Sequence, residues 1–402
     1  MSSRTLLVLG ASIYQMATIR RARELGYRVL SADNVAHNPG HVHASKSFLV
    51  DIVDRDAVLQ LARRERVDGI VAPCTDAGVP TASFVAQALG LPAPPLRASE
   101  IAVSKSSFRR FQRERGEPSP ECLVGDERLE IARSEFAAGP WIVKPDASSG
   151  SKGVFIVRSP QELRARLQQA LAFSRSGRVV AERFLEGRQG TCEGILKDGR
   201  IAAAWLLDRQ TAAPPYVATH GHFVPTSLDL PAQRAVLARI ESAWAKLGVR
   251  SGLFDCDFVL SEGTVFVLEL SPRLGGNSIA RLLQFAAGFD PLEYIIRCAC
   301  GEPCPLPDPR LTRACAIVLL GTPQRGVLRY DLGELQRLRE EPWVAWLEID
   351  IPAGAPVEPF INGRHRVGEA LVVADDRGQL ESRVGELKAR LALGAEPGNR
   401  PA

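Results

Sequence analysis

The stretch Ile142-Val-Lys-Pro-Asp-Ala-Ser-Ser-Gly-Ser-Lys-Gly-Val154 sets a loop of small residues between two apolar, strand-like runs and places a lysine on either side of it. Of 50 basic residues in the chain only seven are lysine, yet Lys144 and Lys152 flank this loop and Lys105 lies upstream. A lysine ammonium is a compact, strongly hydrated charge that fits between phosphate oxygens, whereas arginine offers a flat fork suited to bidentate docking. The pattern therefore points to a phosphate-holding loop. A plain glycine-rich hairpin with solvated lysines is the competing reading.

A second acidic segment stands downstream. Residues 252–277 read Gly-Leu-Phe-Asp-Cys-Asp-Phe-Val-Leu-Ser-Glu-Gly-Thr-Val-Phe-Val-Leu-Glu-Leu-Ser-Pro-Arg-Leu-Gly-Gly-Asn, two strands joined at a tight Glu-Gly turn. Strand alternation puts Asp255 and Asp257 on one face, and Glu269, Ser271 and Arg273 would share a face if the strand continues. Carboxylates among apolar neighbours are costly unless paired or bound to metal, so oxygen ligands for Mg²⁺ shared with nucleotide phosphates are expected. An exposed hairpin with ordinary surface acids is the alternative, and the lysine-flanked loop upstream argues against it.

The rest of the chain organises around these two segments. Its 402 residues exceed one core and predict several units. Leu6–Gly10, a helix over Ile19–Gly26 and Arg28–Asp33 open a βαβ pattern. The first turn, Gly10-Ala-Ser-Ile-Tyr-Gln15, lacks the G-x-G-x-x-G spacing of a dinucleotide fold. Further alternation predicts a parallel sheet with flanking helices. Leu91-Pro-Ala-Pro-Pro95 reads as a boundary, after which Ser99 is expected to cap a helix carrying Lys105. Another proline-rich stretch, Pro303–Pro309, introduces a last unit, in which Trp343 and Trp346 are expected to fill a core. His222 falls in an expected loop. Turn residues around Pro39 and Gly40 explain His37, His41 and His43 better than a metal cluster, and Cys298, Cys300 and Cys304 fit a helix end and its loop.

The net charge of +4, with 45% hydrophobic and 24% charged residues, describes an ordinary globular chain with no basic stripe for nucleic acid. No apolar run is long enough for a membrane span, and the N-terminus leads into a strand rather than a signal peptide, so a cytoplasmic protein with reduced thiols is expected.

Taken together, these segments resemble the ATP-grasp superfamily of carboxylate-amine ligases over about residues 4–395. The resemblance implies a multidomain chain of α/β and α+β units: a parallel α/β pre-grasp domain at 1–95, a nucleotide lid at 96–187, a catalytic core at 188–305, a C-terminal appendage at 306–395 and a disordered tail at 396–402. It implies ATP and one or two Mg²⁺ ions, with Mn²⁺ as a substitute. Lys105 and Lys144 would contact ATP phosphates under a loop formed by Ser148, Ser149, Gly150, Ser151, Lys152 and Gly153. Glu182, Phe184 and Leu185 match the adenine hinge, and Glu186 or a neighbour matches the ribose contact. Asp257 and Glu269 match the magnesium acids. Arg273 matches the arginine facing the transferred phosphate and acyl oxygens. Ser271 departs from the usual asparagine at the third metal position, which leaves a non-catalytic nucleotide-binding module as one alternative.

Within the superfamily the chain looks most like bacterial L-amino-acid ligases. In Arg273-Leu-Gly-Gly-Asn277 the backbone of Gly275 and Gly276 would cradle an acyl phosphate, and His222 of His220-Gly-His222 would contact substrate or phosphate. The implied reaction joins a carboxylate to an amine, both small molecules. The other alternative is a carboxylase-like or purine-biosynthetic ligase. Relatives of this kind often pair through the first domain, so a homodimer is the implied assembly.

Overall fold

The computed structural model describes residues 4–397. The first unit is a four-stranded, all-parallel sheet in the order β3-β2-β1-β4, built from β1 (Thr5–Leu9), β2 (Arg28–Asp33), β3 (Lys46–Leu49) and β4 (Gly69–Val71). Its core joins Leu7, Leu9 and Leu30 to Val58 and Leu61 of α2 (Arg55–Glu65) and Val85 of α3 (Val79–Leu89). Helix α1 (Ile13–Glu24) begins well before the expected Ile19. Ser12 caps it and the Gln15 side chain reaches back to the Ser12 amide, a capping box that launches the helix straight from the strand. Gln15 is a link in that box rather than a loop residue, which is why hydrophobic spacing alone misplaces the start.

Two short helices cross to the lid. Ser99 lies inside α4 (Leu96–Ala102), where its hydroxyl meets Ser83 at 2.7 Å, and Ser104 caps α5 (Lys105–Glu114) instead. The lid sheet runs β5-β8-β6-β7, from β5 (Cys122–Gly125), β6 (Trp141–Pro145), β7 (Phe155–Val157) and β8 (Val179–Arg183), all antiparallel and packed on Leu163 and Leu167 of α6 (Pro160–Leu171).

The largest element is an eight-stranded antiparallel sheet, β13-β12-β9-β10-β11-β14-β18-β16. Its first half is β9 (Arg188–Lys197), β10 (Arg200–Thr211), β11 (Thr219–Val224), β12 (Gly252–Ser261) and β13 (Thr264–Ser271). Helix α7 (Leu230–Leu247) covers one face through Ile240 and Trp244; α8 (Ile279–Ala287) covers the other through Leu282 and Leu283; α9 (Pro291–Ala299) packs against α1. The remaining strands, β14 (Ala314–Leu320), β16 (Val344–Ile349) and β18 (Gly368–Ala374), come from the C-terminal residues. The expected appendage thus completes the core's own sheet. Its helices α10 (Leu332–Glu340) and α11 (Arg377–Leu391) bury Leu338, Leu380 and Leu387 on the far half, beside a small sheet of β15 (Gly326–Arg329), β17 (Pro356–Val357) and β19 (Gly394–Glu396). Trp343 joins this core, whereas Trp346 is partly exposed under Arg281. Of the tail expected beyond 395, Glu396 belongs to β19, and 398–402 lie outside the described residues.

Candidate active site

The lid and core enclose a cavity of about 720 Å³, floored by β12 and β13 and closed on one side by the first domain. Both sequence segments face it. Lys105, Lys144, Ser148, Ser149, Gly150, Ser151 and Lys152 line it, as do Phe184, Leu185, Asp257, Glu269, Arg273, Gly276 and His222. Ile142, Val259 and Leu268 join Phe184 and Leu185 as an apolar part of the lining, suited to a flat base. Gly153 is not among the lining residues; its positive φ turns the chain back against Phe173 and Ala170 of the lid. Glu186 is exposed off the lining, and Gln189 stands in the cavity instead.

The lysines are placed by distinct contacts. Lys105 follows the Ser104 cap, and its Nζ donates to the Ser148 carbonyl at 3.0 Å, tying α5 to the loop. Asp146 accepts from the Ser106 amide at 2.7 Å and steadies the same corner. Lys144 Nζ lies 2.7 Å from Glu182, which also accepts from Arg109 Nε at 3.0 Å. Burial opposes the charge on Glu182, but Arg109 and Lys144 outweigh it and bring the carboxyl down to about 2. At Lys144 burial prevails, with Arg109 and Lys105 nearby, and the ammonium is pulled below its usual range. Glu182 therefore spends its carboxylate holding Lys144 and Arg109, a use its placement in an adenine hinge did not convey.

On the floor, Asp257 and Glu269 are direct cross-strand partners. Asp257 accepts from Thr191 at 2.7 Å and from Arg209 at 2.8 Å. Burial pushes the Glu269 carboxyl above its usual range, against the nearby Lys105. A half-buried carboxylate facing the cavity beside a second acid fits a hard divalent cation held by oxygen ligands. Ser271 does not join this pair: its buried hydroxyl donates to Asp76 at 3.0 Å and is directed to the first domain.

Asp76 is the residue that sequence reasoning missed most clearly. It follows β4 by a short loop and approaches Arg273, whose Nε and Nη2 lie 2.9 and 2.7 Å from Asp76 Oδ1. Arg273 Nη1 donates to Asp255 at 2.6 Å. Burial works against ionisation at Asp76, yet Arg273 holds its carboxyl below the usual value, while Asp255 is pushed up to about 7 by burial against the same guanidinium. The Gly275 amide donates to Glu193 Oε1 at 2.6 Å and points at a buried carboxyl rather than at the cavity. Burial, and then Asp255, push Glu193 well above the usual carboxylate range. Of the two glycines expected to cradle an acyl phosphate, Gly276 alone lines the cavity.

His222 sits in β11, not in a loop. It is buried between β10 and β14, with Nε2 3.4 Å from Asn277 and Nδ1 without a hydrogen-bond partner among the described residues. Gly221 makes that strand possible, since a Cβ there would lie 2.7 Å from the Ile317 carbonyl. Burial, helped by Arg209, pulls the imidazole down to about 4. The C-terminal residues reach the cavity through Arg364 and Arg366, and the Gly363 amide donates to the Gly150 carbonyl at 3.0 Å. Among the described residues no cluster of His, Cys, Asp and Glu is arranged as a metal site of three or more ligands, and no helix is long and apolar enough to cross a membrane.

Residues 102–277 match the ATP-grasp domain family. Along nearly its whole length the chain is similar to the formate-dependent phosphoribosylglycinamide formyltransferase of Rhodococcus jostii (strain RHA1), 26% identical over 405 residues covering 96% of this chain and 94% of that protein. The same enzyme of Corynebacterium glutamicum (strain R) is 27% identical over 396 residues, covering 94% and 91%. Among solved structures, an L-amino acid ligase from Bacillus licheniformis superposes with a TM-score of 0.83 at 18% identity, over 99% of this chain and 100% of that one. A phosphoribosylglycinamide synthetase from Anaerococcus prevotii gives 0.74 at 17%, over 98% and 100%. The family match spans both the lysine-flanked loop and the carboxylate hairpin, so residues 102–277 form an ATP-grasp domain, and the fold of the whole chain agrees with that of the ATP-grasp structures it superposes on.

Proposed function

We propose that this protein joins a carboxylate to an amine by way of an acyl phosphate, releasing ADP and phosphate, with an amino acid as one substrate. The observation that carries the reading is the convergence on one cavity of Lys105, Lys144 and Lys152 with Asp257, Glu269 and a fixed Arg273. ATP would supply the phosphoryl group, and Asp257 and Glu269 would hold a divalent cation that offsets charge on the phosphate oxygens. A carboxylate repels nucleophiles and has no good leaving group; phosphorylation removes both obstacles.

Little covalent work is left to the protein, so its contribution is positioning and charge stabilisation. The lysines hold the phosphates, and Arg273, locked between Asp76 and Asp255, stands where charge builds on the transferred phosphoryl and acyl oxygens. Neutral His222 and Gly276 border the substrate end of the cavity. The amino-acid reading is supported by the end-to-end superposition on the L-amino acid ligase.

A second reading, transfer of a formyl group from formate to a phosphoribosyl amine, is favoured by the full-length similarity to formyltransferases. It also draws on the crowding of Lys152 by Arg364 and Arg175 on the cavity wall, cations that a substrate phosphate would satisfy.

Incubation with MgATP, pooled amino acids and other small carboxylates and amines, followed by chromatography and mass spectrometry, tests both. ADP, phosphate and a mass equal to two substrates minus water from the amino-acid pool are the expected products. Turnover only with formate and a phosphoribosyl amine selects the second reading. AMP with pyrophosphate would sink the acyl-phosphate route.

A further inference from the structure

The seam between the first domain and the core carries a pair of thiols that the active site does not use. Cys298 lies in the last turn of α9 and Cys304 in the loop that follows, and their sulfurs are 3.0 Å apart. That is closer than two sulfurs ordinarily rest without a bond or hydrogen bond. Both residues are only partly buried, so a small oxidant can reach them. Cys300, between them, is different: it is buried beside Gly69 of β4, where an added Cβ would lie 2.6 Å from its sulfur. The trio therefore resolves into one facing pair and one packing residue.

The five residues bracketed by the pair include the joint itself. Glu302 accepts from the Tyr27 hydroxyl at 2.6 Å and pairs with Arg297 at 3.0 Å, while Arg4 of the first domain donates to the Cys300 carbonyl. Arg21 of α1 pairs with Asp290 and Glu293 at the other end of α9. Closing a covalent ring over 298–304 would hold Glu302 against Tyr27 and fix the edge on which the first domain presents Asp76 to Arg273.

We propose that Cys298 and Cys304 are a modification site, a dithiol that forms an intramolecular disulfide and clamps this seam. With a disulfide oxidant such as oxidised glutathione, one cysteine thiolate attacks a glutathione sulfur and releases one glutathione. The second cysteine thiolate then attacks the mixed disulfide and releases the other. Two protein thiols and one oxidised glutathione thus become one protein disulfide and two reduced glutathiones, the thiol protons going to the leaving thiolates. Burial pushes the Cys298 thiol up to about 12 and raises Cys304 as well, so exchange is slow near neutrality and faster at alkaline pH.

The test is incubation of the protein with oxidised glutathione at pH ~9, quenching with an alkylating agent in denaturant so that buried free thiols also react, and mass spectrometry of the intact and digested chain. The expected result is loss of two hydrogens, with Cys298 and Cys304 protected from alkylation and Cys300 still alkylated. Cys298→Ser and Cys304→Ser should each abolish the product and Cys300→Ser should retain it; these are separate variants, so misfolding of one leaves the others informative. The oxidised wild type should unfold at a higher temperature than the reduced form, and a thiol reductant should reverse the shift. A stable glutathione adduct without ring closure, full alkylation of both thiols, loss of the product in Cys300→Ser, or an unchanged midpoint after oxidation would each overturn the clamp.

Discussion

Arg273 has its guanidinium gripped by Asp76 on one edge and Asp255 on the other, with Ser271 holding Asp76 in place. Such a preorganised donor costs nothing to reorient when charge develops. Arg273→Ala should lower turnover by roughly a hundredfold or more, read as ADP release with the pair of substrates found by product analysis; activity within a few-fold of wild type would remove it from this role. His222 makes a separate, thermodynamic prediction. Its imidazole is held at about 4 by burial, against an ordinary 6.5. Above 6.5 both folded and unfolded forms are neutral, and as pH falls toward 4 the unfolded chain takes up the proton first. Stability should therefore decline over that window by about 1.4 kcal/mol per unit, to a total on the order of 3 kcal/mol. Urea titrations across the window should show a shallower slope for His222→Gln; identical slopes would contradict the assignment. At this scale the sequence disclosed residues whose chemistry is local. Lys144 and Lys152 flank one loop, and Asp257 and Glu269 lie in one hairpin. Asp76, Glu193 and Arg209 were not visible, because each acts on a partner 48 to 197 residues away through strand pairing or domain contact.

Elements carry the geometry that those residues need. The turn after β13 is fixed by the bond from the Gly275 amide to Glu193, and a Cβ on Gly275 would lie 2.1 Å from that carboxyl, whereas one on Gly276 would meet nothing within 4 Å. Gly275→Ala should displace the turn and Arg273 with it, costing ~1–3 kcal/mol of stability and most of the activity. Gly276→Ala should fold normally, and equal effects of the two would refute the clamp on Gly275. In the lid, β8 brings Glu182 between Arg109 and Lys144. Glu182→Gln leaves two buried cations without their anion and should cost ~3–5 kcal/mol by denaturant unfolding, whereas loss of an adenine contact alone would weaken nucleotide binding and leave stability intact. Strands with strong alternation and helices with clear apolar spacing were legible from the chain. The errors fell where side-chain chemistry overrides periodicity: the capping box that starts α1, the Ser104 cap that replaces Ser99, and the glycine that lets β11 run between two neighbours.

At the scale of the whole molecule, the boundary read at Pro303–Pro309 is a change of composition but not of structure. β14 pairs with β11 on one side and β18 on the other, so the C-terminal strands make up three of the eight in the central sheet. Phe223 of β11 is buried in the core formed with Leu338, Val372 and Leu387. Proline-rich segments mark loops reliably, but whether the next unit starts a new sheet or extends an old one depends on long-range pairing that no local pattern encodes. The same residues reach back to the cavity: the Gly363 amide meets the Gly150 carbonyl, and the Tyr14 hydroxyl donates to the Gly363 carbonyl at 3.3 Å, so lid, first domain and C-terminal strands meet at one turn. Truncation after residue 305 should therefore strip β11 of its partner β14, leaving only β10 beside it, expose Phe223 and unbury the far half of the sheet. We expect that fragment to be insoluble or to lack a cooperative thermal transition, rather than to behave as an ATP-grasp domain missing an appendage. A truncated chain that is monodisperse, unfolds cooperatively and binds MgATP by calorimetry would show that 306–395 is separable after all.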